Sequence, residues 1–382
     1  MRLTGKIIFI ISYENWGPML MSKHHYAIEL SKAGNTVYFI NHPDRRKSME
    51  RGNIKLAPTS YENLFVVEHR LFYPYFLKFK FKSLFNLLTR LHISRVIKKI
   101  GMYPDVVWSF DTGNTIPLRI FNKSKMRILM PVDGPFGHID EFRSAEAADV
   151  IVSVTQRILD VFSNIPVPKF LINHGVADVF LKRTPRETDP NEIRVGYSGS
   201  LIRNDLDTNV FLHIIKRYPN IIFEFWGEHD PKKSNIHLPQ DVTKGTLEFL
   251  KILKEQPNVI LHGPVSSEDL AKGIQRMDVL LICYNIKNDQ NHHKVLEYLG
   301  TGNVIISNYM NSYRNNNPGL LEMVESPDNN SELPVIFERV VNDLSYYNSE
   351  EFRLRRMNYA REFSYANNII RIEKFVENAE IC

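Results

Sequence analysis

The chain opens with an apolar run, Ile7 to Ile11. A polar turn through Glu14, Asn15 and Gly17 follows, then a helical pattern that stops at Gly34, and a second apolar run begins at Thr36. Short unbroken apolar runs predict strands buried on both faces, and strand, loop, helix, glycine stop, strand is the βαβ unit of a parallel sheet. Further runs of this kind at 105–110, 127–132, 149–154 and 169–175 extend that sheet. After Gly175 comes a charged, proline-containing stretch without periodicity, which reads as a connection between domains. The pattern then restarts, with apolar runs at 193–200, 221–227, 258–263, 278–284 and 303–307 and a helix over 208–218.

These patterns predict an α/β protein of two doubly wound, Rossmann-like domains facing across a cleft, where loops and helix N-termini converge at the carboxyl ends of the strands. The expected division is 1–178, a linker at 179–192, a second domain at 193–349, and a helical segment at 350–382 that packs back on the first domain. The length of 382 residues agrees with two domains at ~150 residues each.

Composition adds exclusions. With 43% hydrophobic and 24% charged residues, the chain is neither disordered nor coiled coil. Only Cys283 and Cys382 are present, too few for a disulfide framework or a multi-cysteine zinc site, so a reducing, cytoplasmic setting is the expectation. The run at Ile7 to Ile11 is too short for a signal-peptide core or a membrane span.

The net charge of +5 hides an asymmetry: residues 1–104 carry 17 Lys+Arg against 6 Asp+Glu, and the rest carry 31 against 37. Residues 69–104 hold eight Lys/Arg, many Phe, Tyr and Leu, and no acid. Such a segment fits the interface of an anionic membrane, and a peripheral place on the inner face of the cytoplasmic membrane is expected; a solvated basic face is the plainer alternative. No nucleic-acid partner is expected, because no recognition motif accompanies the charge.

The stretch from Asp278 to Ser307 is the richest in candidate chemistry. A strand ends near Tyr284, a polar loop follows, and a helix begins near Lys294 and ends at Gly300-Thr301-Gly302. A helix N-terminus with a cation in its first turn suits a diphosphate, and Glu297, one turn on, suits a pair of ribose hydroxyls. A solvated loop and a plain helix carboxylate explain the same residue types equally well.

Asp289 and Glu297 stand eight apart, and the segment with KVLEYLGTG resembles the Glu-x7-Glu region of the GT-B glycosyltransferases of family 4 and related bacterial polysaccharide transferases. The resemblance implies that Glu297 holds the nucleotide ribose and that Asp289, here in place of Glu, lies near the donor sugar, beside a loop in which His292-His293 replaces small or proline residues. RVGYSGSLIRND resembles the family's first strand of the nucleotide domain. That implies backbone approach of the diphosphate at Gly199 and Ser200 and its neutralisation by Arg203, with His293, Lys294 and Val295 completing the cradle. VILHGPVSSEDL resembles the stretch whose backbone meets the nucleobase, here Pro264 and Val265. LINHGVADVF resembles the family's hinge-proximal segment.

The function so implied is transfer of a hexosyl or related group from a nucleotide-diphosphate sugar, such as a UDP-sugar, to a glycan or lipid-linked acceptor in bacterial surface polysaccharide synthesis. The donor is a substrate; no cofactor and no metal are expected, with helix dipole and cations stabilising the leaving diphosphate. Asp205-Leu206-Asp207 has the spelling of a metal-binding DxD, but it precedes a helix, and Asp207 reads as its N-cap. An inverting enzyme needs a general base from the first domain, for which the candidates are Asp133 and Asp111 at strand ends and His138. Of His24-His25, one is expected to face the acceptor pocket and the other to pack. The competing readings are a nucleotide-sugar 2-epimerase of the same layout and a non-catalytic nucleotide-sugar-binding protein.

Overall fold

The computed structural model describes residues 2–17, 20–45, 48–132, 138–182, 192–231, 242–285, 292–314 and 319–379. The chain forms two units, Met1–Asn173 with Tyr365–Cys382, and His174–Ser364.

In the first unit the order is β1 (Ile7–Ile11), α1 (Ser22–Lys32), β2 (Thr36–Ile40), β3 (Ile54–Pro58), β4 (Leu64–His69), α2 (Leu77–Lys80), α3 (Lys82–Ile100), β5 (Val106–Ser109), β6 (Met126–Leu129), α4 (Ile139–Glu146), β7 (Val150–Ser153), α5 (Gln156–Val161) and β8 (Lys169–Leu171). The strands lie in the order β3-β4-β2-β1-β5-β6-β7-β8, and all pairs are parallel except β3 with β4. The apolar runs are what the sheet buries: in β5 and β7 every residue is buried, as both faces of a parallel sheet covered by helices require. Chain order reverses between β1 and β5, so their carboxyl ends flank a topological switch point.

The second unit follows with α6 (Asp178–Leu181), β9 (Arg194–Ser198), α7 (Thr208–Arg217), β10 (Ile222–Trp226), α8 (Lys244–Glu255), β11 (Val259–Gly263), α9 (Ser267–Gln275), β12 (Val279–Ile282), α10 (Lys294–Thr301), β13 (Val304–Ser307), α11 (Asn311–Arg314), β14 (Glu322–Met323), α12 (Leu333–Asn342), α13 (Leu344–Tyr347) and α14 (Glu350–Glu362). Its six strands are all parallel, in the order β11-β10-β9-β12-β13-β14, the Rossmann order with the switch point between β9 and β12. The last helix, α15 (Tyr365–Ala379), belongs to the first unit, where it packs on α1.

The units divide at Asn173/His174 and Ser364/Tyr365 rather than at 178 and 350. The helical tail is two helices: α14 packs on α10 of the second unit, and its Arg356 is buried, donating to the carbonyls of Gly302, Gly319 and Tyr347. Those three bonds fix α14 to its own unit, and only α15 returns to the first.

Two glycines set the strand ends of the second unit. Gly199 after β9 and Gly227 after β10 have φ of +136° and +138°, and a Cβ on Gly227 would overlap the Gly199 carbonyl. The two chains pass in contact here, with Gly199 donating to the Trp226 carbonyl at 2.7 Å. Gly227→Ala is therefore expected to cost about 2–4 kcal/mol of unfolding free energy, measured by denaturant titration; an unchanged midpoint would contradict the close approach.

Candidate functional site

At the switch point of the second sheet, β9 ends in Ser198-Gly199 and β12 runs into Tyr284. Lys294, the first residue of α10, is buried, and its ammonium donates to the Ser198 carbonyl and the Tyr284 hydroxyl, each at 2.5 Å, with the Tyr197 hydroxyl at 3.5 Å. It also lies 4.5 Å and 5.1 Å from the ring centres of Tyr197 and Tyr284. Two tyrosine faces and a carbonyl replace the water that an ammonium loses on burial. A Cβ on Gly199 would meet the Lys294 Nζ at 2.5 Å, so the charge sits directly behind Gly199. Tyr298, one turn along α10, accepts the Ser198 N–H at 2.6 Å and fixes the same strand end.

Arg203 is bound through Nε and Nη2 to Asp205, at 2.8 and 2.5 Å, and its guanidinium carbon lies 4.9 Å from the Tyr284 ring centre. Burial pushes the Tyr284 phenol up, but the Lys294 and Arg203 charges beside it win and hold it below the ordinary phenol value. Tyr197, also buried, is pushed up. His292 stacks on Tyr284 at 4.5 Å and falls to about 2 through burial and the Lys294 and Arg203 charges, so it is neutral at physiological pH. The core of the site therefore carries a concentration of positive charge.

Glu297 is half-buried, and the described residues give its carboxylate no hydrogen bond or ion pair. Burial raises its pKa to about 7, against the pull of Lys294. An unpartnered carboxylate beside a cationic cluster is a site with an acceptor to spare.

The other expected positions fall as follows. Ser200 is half-buried, and its hydroxyl accepts the Ile202 N–H at 3.3 Å. His293 is exposed at the start of α10, 6.2 Å from the His174 ring. Pro264 and Val265 are exposed just after the edge strand β11. Asp289 lies outside the described residues. Val295 corrects the expectation of a cradle of open amides: its side chain is fully buried, and the N–H groups of Val295 and Leu296 are spent on the carbonyls of His292 and His293. Lys294 likewise is no solvated cation, because its ammonium is committed to Ser198 and Tyr284. Asp207 is the N-cap of α7, accepting from Val210 at 3.2 Å and from Asn330 at 2.9 Å, and Asp205 is taken by Arg203.

In the first unit, Asp111 lies just past β5 at that sheet's switch point and is buried. One carboxylate oxygen caps the following turn, accepting from Thr115 at 2.7 Å and Ile116 at 3.1 Å; the other has no hydrogen-bond partner. His42, after β2, was not legible as a site residue. It lies lowered by burial, with the Asp111 charge opposing, and its Nε2 is 3.4 Å from the Tyr75 hydroxyl. His138 is exposed at the start of α4, and Asp133 lies outside the described residues. His24 is buried between Phe39 and bonds to Met21 and Asn15, and burial lowers it to about 4; His25 stacks on Tyr365.

No protein-family model matches the chain, and no curated protein does. Among solved structures, sucrose-phosphate synthase from Thermosynechococcus elongatus is similar over 98% of both chains at 11% identity, with a TM-score of 0.68. Anabaena HepE, solved with UDP and glucose, is similar over 97% of this chain and 99% of its own at 11% identity and a TM-score of 0.64. The lipopolysaccharide outer core galactosyltransferase WaaB is similar over 98% and 99%, at 15% identity and a TM-score of 0.60. The fold is that of the GT-B glycosyltransferases. At these identities the likeness establishes the fold alone.

The Glu297 carboxyl gives a test of the site's electrostatics. The folded chain keeps a proton there up to about pH 7, whereas an ordinary glutamate releases it near 4.5. The raised pKa favours the fold fully below about 4.5, and that advantage is lost as pH rises through 7. Glu297→Gln should thus melt roughly 3 °C or more above wild type at pH 8 and level with it at pH 5. The same difference at both pH values would contradict a raised pKa.

Proposed function

We propose that the chain is a glycosyltransferase that takes a nucleotide-diphosphate sugar at the β9/β12 switch point of its second unit. The observation that carries this is the combination at one strand end: Gly199 with the Lys294 ammonium directly behind it, Arg203 over the neighbouring Tyr284 ring, and one turn along the helix a Glu297 carboxylate without a partner among the described residues. The diphosphate lies over Gly199 and Ser200, and Glu297 accepts the two ribose hydroxyls. The base meets Pro264 and Val265 at the sheet edge, and Asp289 and His293 lie toward the sugar.

Departure of a nucleoside diphosphate develops negative charge on its phosphates, and fixed positive groups lower that barrier. Lys294 supplies one through its place behind Gly199, and Arg203, which Asp205 holds through Nε and Nη2, supplies another. With these cations in place the transfer is proposed to run without a metal. Acceptor activation is assigned to the switch point of the first unit, where one buried Asp111 oxygen has no hydrogen-bond partner among the described residues and burial lowers the His42 pKa. A glycan or lipid-linked acceptor in surface polysaccharide synthesis is the substrate class proposed. HepE was solved with UDP, so UDP and UDP-hexoses are the first probes to try.

The test is a thermal-shift and calorimetric screen of nucleoside diphosphates and their sugars. A stabilising hit is expected, and Glu297→Ala should weaken it about 10- to 100-fold, the worth of hydrogen bonds to a carboxylate. Affinity should also rise between pH 6 and 8 in wild type as Glu297 ionises, and stay flat in Glu297→Gln. No shift with any nucleotide would defeat the reading, as would conversion of the donor to an isomer with no acceptor present.

A further inference from the structure

The acid-free segment between His69 and Pro104 takes no part in the proposed chemistry. Helix α3 buries Phe85, Thr89, His92, Ile93 and Val96 on one side. On the other, Leu84, Leu87 and Leu91 follow at i, i+3 and i+7 and are 45%, 56% and 52% exposed. Just before them Phe76, Phe79 and Phe81 are 54%, 76% and 58% exposed. Six of the seventeen large hydrophobic side chains exposed among the described residues thus fall within sixteen consecutive positions. Single exposed apolar residues are ordinary on a protein surface, but a helix that is apolar on two sides has a second partner.

Charge identifies the kind of partner. Lys80, Arg90, Lys98 and Lys99 are exposed along this face and enter no ion pair among the described residues. Lys78 and Lys82 differ: the first donates to Thr115 at 2.9 Å and the second pairs with Asp140, so both serve the fold. Leu91 and Lys98 also line a shallow groove with Phe72, Ser94 and Arg95, which places apolar wall and cation together.

We propose that the α2–α3 face lies on an anionic membrane surface, with Phe76, Phe79, Phe81 and the leucine stripe in the interface and the four cations on lipid phosphates. Aromatic and leucine side chains beside lysine and arginine are the composition of an in-plane interfacial helix. A second copy of the chain fits poorly, since the same four cations would meet one another across a two-fold contact. Nucleic acid gives the exposed leucines nothing to bind. The proposal is independent of the nucleotide-site reading.

Vesicle flotation tests it. The full chain is expected to float with phosphatidylcholine vesicles containing phosphatidylglycerol and to stay behind with phosphatidylcholine alone. The variant Lys80→Glu/Arg90→Glu/Lys98→Glu/Lys99→Glu should lose about tenfold or more of that partitioning, and so should Leu84→Ser/Leu87→Ser/Leu91→Ser. Circular dichroism melts equal to wild type show that both variants fold. Their nucleotide-induced thermal shift should match wild type, which separates loss of membrane binding from any failure of the donor site. Absence of wild-type binding, or equal binding by wild type and variants, would overturn the proposal. So would a wild-type dimer that the leucine variant turns into monomers with no vesicle affinity at any stage.

Discussion

The second unit depends on one buried charge. Lys294 brings an ammonium into the sheet's carboxyl edge, and a buried ammonium is tolerated only where its protons find acceptors. It finds them at both strand ends: the Ser198 carbonyl and the Tyr197 hydroxyl of β9 and the Tyr284 hydroxyl after β12, with ring faces closing the shell. The interaction therefore ties the two strands flanking the switch point to the helix that follows them. It also leaves a positive charge directly behind Gly199.

That geometry explains why a parallel sheet of this order makes a binding edge at all. Strands that diverge in chain direction leave a gap at their carboxyl ends, and what fills it is decided by a few side chains rather than by the sheet. In the second unit the gap holds a cationic cluster and a carboxylate without a partner among the described residues. In the first, the equivalent gap holds Asp111, half committed to capping its own turn, with His42 and Tyr75 nearby.

Much of this fold was legible because parallel strands buried on both faces write themselves as unbroken apolar runs, as β1, β5, β7, β9 and β12 do. Strands β3 and β4 were not read. β3 is an edge strand ending in Pro58 with an alternating, half-exposed pattern, and β4 runs directly into the aromatic stretch that follows it. The hairpin had a signal in Asn63, whose φ of 57° marks a turn. The break between α14 and α15 had none, because no glycine or proline stands at Ser364 and the division is imposed by what each helix packs against. Within the site, Gly199, Arg203, Lys294 and Glu297 were visible as residue types in sequence order. The partners of Lys294 were not, since a tyrosine ending an apolar strand looks like core until the chain is folded.

The central claim is that the β9/β12 edge receives a nucleoside diphosphate. A crystal structure of the protein with UDP, or with whichever nucleoside diphosphate binds most tightly, tests it most directly. The account predicts the phosphates over Gly199 and Ser200 and the ribose hydroxyls within hydrogen-bond distance of Glu297. A nucleotide bound at another edge, or one at this edge with its ribose turned away from Glu297, would contradict it.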